Sequence, residues 1–335
     1  LKKSPELTIA VTLGDPAGIG PEVALRALVR PLAAARALLL GPSELYRPLA
    51  RRLGLRLEFE DVNDPGARPA GRKLACFFPF VWPGAARPGR PDRAHTALAV
   101  RSIELGAELA LAGEADAVAT PPINKAALQR AGFTMPGHTE YLAELSHTKR
   151  YEMMLVGGGL RVVPVTRHMA LRDVPSKLTA ALIEEAIVTT AAELGRSFGI
   201  AKPRLVVCGL NPHAGESGRF GDEEIRVIAP AVRRARRRVL GTLEGPLSPD
   251  ALFHEAYGGR WDAVICMYHD QGLIPLKMVS RGSGVNVTLG LPFVRTSPDH
   301  GTAYDIAGKF RADAGSMRES LDLAVTLASN RRRRA

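Results

Sequence analysis

Short apolar runs alternate with longer amphipathic stretches along most of this chain, and that alternation limits the folds open to it. The apolar runs predict strands at Leu7–Leu13, Ala37–Leu40, Ala115–Ala119, Met153–Val156, Leu160–Thr166, Leu205–Leu210, Ala263–Met267 and Val285–Leu289. The amphipathic stretches predict helices at Pro21–Val29, Thr96–Ala112, Thr139–Ser146, Thr179–Phe198, Asp222–Val239 and Met317–Ala328. Strands that alternate with helices over 335 residues imply an α/β architecture with much of the sheet parallel, built as two lobes or one large unit. Proline and glycine cluster between Asp64 and Pro91, which predicts loops or short edge strands there.

Polar residues fall where such a fold would use them. Ala115–Ala119 runs into Thr120-Pro121-Pro122-Ile123-Asn124-Lys125, and Leu160–Val165 runs into Thr166-Arg167-His168. Leu205–Leu210 runs into Asn211-Pro212-His213, and Ala263–Met267 into Tyr268-His269-Asp270-Gln271. Open α/β sheets bind ligands beyond the carboxyl ends of their strands. A single histidine there is more often a hydrogen-bonded structural residue than a ligand. Three at equivalent strand ends, His168, His213 and His269, point to a metal centre with a coordination position left for substrate. Imidazole donors make zinc the first choice and leave cobalt, nickel, magnesium or manganese open. Asp270 and Asn211 are candidates to orient the rings, or simply to cap the following turns.

Four further segments carry polar chemistry. Gly14-Asp15-Pro16-Ala17-Gly18-Ile19-Gly20-Pro21-Glu22 follows the first strand and opens a helix, with Pro21 suited to its first position. Its glycine spacing is not that of the dinucleotide-binding fingerprint. Gly137-His138-Thr139-Glu140 precedes an amphipathic helix; Thr139 suits an N-cap, and backbone N–H groups at a helix start attract phosphate. Lys277, Asn286 and Arg295 follow His269, and the two cations suit a substrate carrying phosphate and carboxylate, although each alone is more often a surface charge. His300-Gly301-Thr302-Ala303-Tyr304-Asp305 reads by composition as a loop opening a helix.

The formal net charge of +11 invites a nucleic-acid reading. The arginines concentrate in two runs, however: Arg233–Arg238, inside a helical pattern, and the terminal Arg331–Arg334. With 5% aromatic residues there is no stacking platform for bases, and a solvated helix face with a frayed tail explains the charge. No nucleic-acid partner is expected. No apolar run is long enough to span a bilayer, so no membrane partner is expected either. The basic start, Leu1 to Glu6, leads into a strand and does not read as a secretion signal. Cys76, Cys208 and Cys266 form no CxxC pair and predict buried, reduced thiols in a cytoplasmic protein.

Five segments together resemble the 4-hydroxythreonine-4-phosphate dehydrogenase family of pyridoxal phosphate biosynthesis: GDPAGIGPE (14–22), GHTE (137–140), CGLNPHAGE (208–216), YHDQGLIPLK (268–277) and NVTLGLPFVRTSPDHGTAYDIAGK (286–309). They stand in the family's order and span nearly the whole chain. The weakest match surrounds His168: the family usually has Thr where Arg167 stands and Leu-Pro where Met169-Ala170 stand.

The resemblance implies a two-lobed α/β/α fold similar to isocitrate and isopropylmalate dehydrogenases, with the active site in the cleft between lobes. On that pattern residues 1–130 and 285–335 form the first lobe with the cofactor loop. Residues 131–284 form the second, with the metal histidines and a dimer interface. It implies metal binding by His168, His213 and His269, and substrate binding by His138, Thr139, Lys277, Asn286 and Arg295. Catalysis would fall to Lys277, His269 and Asp270, and NAD would lie near His300, Gly301, Thr302 and Asp305. The implied reaction is NAD- and metal-dependent oxidation of 4-phosphohydroxy-L-threonine to a β-keto acid that decarboxylates to 3-amino-2-oxopropyl phosphate, in a homodimer whose sites are shared across subunits. A related dehydrogenase of threonate or erythronate 4-phosphate is the nearest alternative. A basic anion- or nucleic-acid-binding protein is the alternative from another class.

Overall fold

The computed structural model describes residues 6–134 and 137–334; the basic start at residues 1–5 lies outside them. In chain order the elements begin β1 (Leu7–Thr12), α1 (Gly20–Leu28), β2 (Ala35–Leu40), α2 (Ser43–Arg52), β3 (Phe59–Asp61), β4 (Leu74–Cys76), α3 (Arg93–Leu111), β5 (Ala117–Ala119), α4 (Lys125–Arg130) and α5 (His138–Leu145). They continue β6 (Glu152–Gly157), β7 (Leu160–Pro164), α6 (Val174–Lys177), α7 (Ala180–Arg196), β8 (Arg204–Cys208), α8 (Ala229–Ala235), β9 (Thr242–Leu247), α9 (Pro249–Tyr257) and β10 (Ala263–Cys266). The last are α10 (His269–Ser280), β11 (Val285–Leu289), β12 (Val294–Pro298) and α11 (Gly315–Arg332). This is the α/β class expected, and the thiols of Cys76, Cys208 and Cys266 are free and buried. Among the described residues no helix is long and apolar enough to cross a membrane.

The chain divides into two compact units, Leu1–Lys149 with Leu291–Ser329, and Arg150–Gly290 with Asn330–Ala335. The expected division fell at 130/131 and 284/285. The difference has a packing cause. Helix α5 packs on α3 of the first unit, where the Tyr141 hydroxyl donates to Glu104, while β11 pairs antiparallel with β6 of the second.

In the first unit the strand order is β3-β4-β2-β1-β5-β12, and each recorded pairing is parallel. Helix α3 packs on β1, β2 and β5, and its Leu105 and Leu109 meet Ala10, Leu38, Leu40 and Ala115 in one core cluster. Leu38 and Leu40 are fully buried, each stabilising the fold by roughly 1.5–3 kcal/mol. In the second unit the order is β11-β6-β7-β10-β8-β9. Its centre, β7-β10-β8, is parallel. Helix α10 covers β6, β7 and β10, and its Leu273 and Leu276 join Val162, Val206 and Val264 in the core.

The arginine runs are more engaged than their composition suggested. Arg234 and Arg238 of one run both reach Glu184, at 2.9 and 2.7 Å. The terminal run is not all frayed tail, because α11 continues to Arg332. Arg331 donates from Nε to Ser197 Oγ at 2.8 Å and from Nη2 to Glu193 Oε2 at 3.0 Å. The two charged side chains are only 16% and 5% exposed. Removing Arg331 takes one of two guanidiniums from the buried Glu193 carboxylate, which keeps Arg196 and Ser197. Arg331→Ala should therefore lower unfolding free energy by roughly 2–3 kcal/mol in urea titrations, whereas truncation after Arg332 should change it by less than about 0.5 kcal/mol.

Candidate active site

Parallel pairing sets the height of the second unit's polar residues. Across β7 and β10, Val162 faces Val264 and Pro164 faces Cys266. Pairing continues past the strand ends, where Val165 N donates to Cys266 O at 2.8 Å and Thr166 N to Met267 O at 3.2 Å. His168 stands two residues beyond Thr166, and His269 two beyond Met267. Their rings accordingly come together, with centroids 5.6 Å apart and a 45° tilt. His269 Nδ1 lies 2.7 Å from Asp270 Oδ1, so Asp270 fixes the ring and leaves Nε2 for a ligand.

His213 follows β8, the other parallel neighbour of β10. Gln271 ties these two strand ends: its Oε1 accepts from Met267 N and its Nε2 donates to Gly209 O, both at 2.7 Å. Asn211 does not orient a histidine. Its Nδ2 donates to Glu223 and Glu224, and Glu224 Oε1 accepts the N–H groups of Leu210 and Asn211. The His213 ring is exposed and sits 6.4 Å from Phe220. His213, Ala214, Glu216 and Ser217 all have positive φ, at about 1–2 kcal/mol per residue, so this loop stores strain. Among the described residues no three histidine, cysteine or acidic side chains stand close enough to hold a metal. Of the three expected imidazoles the structure brings two together, His168 and His269, and leaves His213 on its own exposed loop.

Arg167 faces β6. Its Nη2 donates to Glu152 Oε2 at 2.6 Å and to Tyr151 O at 3.2 Å, and burial raises the Glu152 carboxyl to about 7 even though Arg167 draws it down. Lys277 is exposed in the third turn of α10. Asn286 lies on β11 opposite Leu155, and its Oδ1 is buried without a donor.

In the first unit polar side chains gather around Arg295. This residue on β12 is 3% exposed. Its Nε and Nη2 donate to Thr120 Oγ1 at 3.1 and 2.7 Å, and its Nη1 donates to Thr139 Oγ1 at 3.4 Å. Burial pulls the guanidinium down to about 9, opposed by Glu140. His138 opens α5. Burial, then the charges of Arg295 and Lys125, push its imidazole well below the usual range, so the ring is neutral. Its Nε2 is buried and has no hydrogen-bond partner. A guanidinium, a hydroxyl, a neutral imidazole and the first N–H groups of a helix are groups that could hold a phosphate.

The loop expected to meet the cofactor packs on two others. Ile19 N donates to Thr302 O at 3.0 Å, Asn124 Nδ2 to Thr302 Oγ1 at 3.3 Å, and the Tyr304 hydroxyl to Asp15 Oδ2. Only glycine fits at 18, where a Cβ would stand 2.9 Å from Thr302 Cβ and from its carbonyl oxygen. Burial raises the Asp15 carboxyl, opposed by its hydrogen bonds from Tyr304 and Ala17. Thr302 is therefore buried in this packing, whereas Gly301 and Asp305 are exposed and His300 presents an Nε2 without a partner.

Thr120, Asp15, Tyr304 and Gln271 were not among the expected site residues. Thr120 carried a signal, as the first polar residue after an apolar strand. Thr120→Val removes the acceptor of two buried guanidinium N–H groups at nearly constant volume. It should cost about 1–3 kcal/mol of stability in denaturant titrations and weaken phosphate binding.

Comparison with known proteins identifies the family. The family model described as pyridoxal phosphate biosynthetic protein PdxA matches residues 33–324. The 4-hydroxythreonine-4-phosphate dehydrogenase of Paracoccus denitrificans is 46% identical over 328 residues, covering 96% of this chain and 98% of its own. The crystal structure of the Klebsiella pneumoniae enzyme of that name superposes with a TM-score of 0.88 at 42% identity, over 96% of this chain and 99% of the other. A terephthalate 1,2-cis-dihydrodiol dehydrogenase from Burkholderia xenovorans is more distant, at 29% identity and a TM-score of 0.68, over 96% and 98%. The chain belongs to the 4-hydroxythreonine-4-phosphate dehydrogenase family, that of the pyridoxal phosphate biosynthetic protein PdxA.

Proposed function

We propose that this enzyme oxidises 4-phosphohydroxy-L-threonine with NAD, and that the observation carrying this reading is the buried Arg295 held among hydroxyls beside the start of α5. His138, Thr139 and Arg295 bind the phosphate, and Lys277 and Asn286 supply further substrate contacts. The unpartnered Nε2 of His138 and Oδ1 of Asn286 support these roles, since a buried polar atom without a partner costs about 1–3 kcal/mol until something satisfies it.

His168, His213 and His269 are the residues to hold a divalent cation, zinc before cobalt, magnesium or manganese, with the His213 loop changing conformation to bring its ring in. Such an ion supplies Lewis acidity toward a substrate hydroxyl. Asp270 is engaged with His269; Lys277, once its ammonium has released a proton to solvent, takes the hydroxyl proton on its neutral amine. Oxidation at C3 removes a hydride and that proton, and the β-keto acid formed loses carbon dioxide to give 3-amino-2-oxopropyl phosphate.

His300, Gly301 and Asp305 border the adenosine half of NAD, with Thr302 fixing their loop from behind. A cavity of about 380 Å³, lined by Pro16, Gly18, Trp82, Pro88, Gly308 and Phe310, adjoins the same loop and suits a purine ring. A homodimer fits the second unit's exposed apolar side chains: Met169, Leu171, Phe220, Ile225, Ile274 and Met278 lie on the segments that follow the three histidines.

Purified protein with zinc and NAD should form NADH from 4-phosphohydroxy-L-threonine and release an equivalent of carbon dioxide. A higher kcat/KM for threonate or erythronate 4-phosphate would replace the substrate named here. Asp305 repels a 2′-phosphate. NAD should therefore give the higher kcat/KM, and Asp305→Asn should narrow its advantage over NADP; a preference for NADP in the wild type would displace Asp305 from the ribose.

A further inference from the structure

We propose that Lys125 is a substrate-binding residue, a third cationic arm of the phosphate cradle, and that the missing side chain at Gly137 keeps the space it reaches into open. This rests on the reading that the cradle takes a phosphate. Lys125 is the first residue of α4, and its position is set by Asn124. The Asn124 side chain accepts from Ala127 N at 2.9 Å as the N-cap and donates from Nδ2 to Thr302. The segment before it is anchored in turn, because Thr120 N donates to Thr296 O at 3.0 Å and Pro122 O accepts from Asp15 N at 2.9 Å.

From that anchored start the lysine extends over the beginning of α5. A Cβ placed on Gly137, the N-cap of α5, would stand 3.4 Å from Lys125 Cε and 3.6 Å from its Nζ, and 3.1 Å from Glu140 Oε2. Gly137 has an extended backbone with φ at 173°, which any residue adopts, so conformation does not demand glycine there; a Cβ would touch the end of Lys125 and crowd the Glu140 carboxylate. Lys125 makes no hydrogen bond or ion pair among the described residues, although Glu140 borders the same spot. Its charge reaches His138 next door, where with Arg295 it helps keep the imidazole neutral.

Two fixed positive charges, a neutral imidazole and a helix start therefore converge on one opening. Glu140 offsets part of their mutual repulsion when the opening is empty, and a dianionic phosphate relieves the rest. Lysine suits this place. Its compact ammonium adds charge without a demand for planar geometry, while Arg295 supplies the directional donors.

Lys125→Met should raise KM for 4-phosphohydroxy-L-threonine and the inhibition constant of inorganic phosphate together, by about tenfold. It should leave kcat and the KM for NAD within about twofold. KM for unphosphorylated 4-hydroxythreonine should not move, a split that a merely structural role would not give. Lys125→Arg should recover most of the loss, and Gly137→Ala should weaken phosphate binding with no change of charge. A readout free of turnover comes from histidine NMR of the same protein. Lys125→Met should raise the His138 pKa, and inorganic phosphate should shift the His138 resonances less than in the wild type. An unchanged phosphate inhibition constant and unchanged phosphate shifts in Lys125→Met would overturn the proposal, as would equal losses for phosphorylated and unphosphorylated substrates. Absence of wild-type turnover would instead overturn the functional reading, and the NMR titration would still decide the role of Lys125.

Discussion

Parallel strand pairing is the constraint on which each unit's chemistry depends. In a parallel ladder every strand ends on the same edge, and the register of one strand fixes the height of the residues that follow its neighbour. The pairing of Pro164 with Cys266 ends β7 and β10 at one height, and the rings of His168 and His269 meet just beyond them. The pairing of Arg295 with Val118 puts Thr120 where it can accept two guanidinium N–H groups. A slip of one residue in either ladder would turn these side chains to the opposite face. The apolar cores hold the registers in place: Val162, Val206 and Val264 in one unit, Ala10, Leu38 and Leu40 in the other.

On these frames the chain assembles groups that the fold alone does not favour. Arg295 is buried among hydroxyls, and the Asp15 carboxyl is buried beside Tyr304. His138, Asn286 and His300 each present a buried polar atom without a partner. The core hydroxyls of Thr12 and Thr190 are unpartnered too, so the property alone does not mark a site. It acquires meaning where such an atom adjoins a buried cation and a helix start, as at His138. Each arrangement costs stability in the free protein.

The sequence made the inner strands legible because their apolar runs are long enough to stand out, and the histidines legible because they follow those runs. The short β3 and β4, three residues each, gave no such run. β12 went unrecognised because it reads Val-Arg-Thr-Ser-Pro, and its burial becomes intelligible only with Thr120 beside the arginine. α2 and α10 were not expected as helices; each carries an internal proline, a residue that removes one helical hydrogen bond. Thr120 and Arg295 are 175 residues apart, and no local pattern links them. The terminal arginines looked like tail because charge runs usually are; Glu193, the partner that orders Arg331, lies on another helix. Positive φ at His213 and its neighbours is likewise invisible in composition.

The proposed chemistry requires the ends of β7, β10 and β8 to deliver three imidazoles to one ion. X-ray absorption at the zinc edge, on protein loaded with one equivalent of the metal, addresses this directly. Three imidazole nitrogens at about 2.0–2.1 Å are predicted, with one fewer in His213→Ala. A spectrum dominated by oxygen ligands, or one that His213→Ala leaves unchanged, would contradict the account.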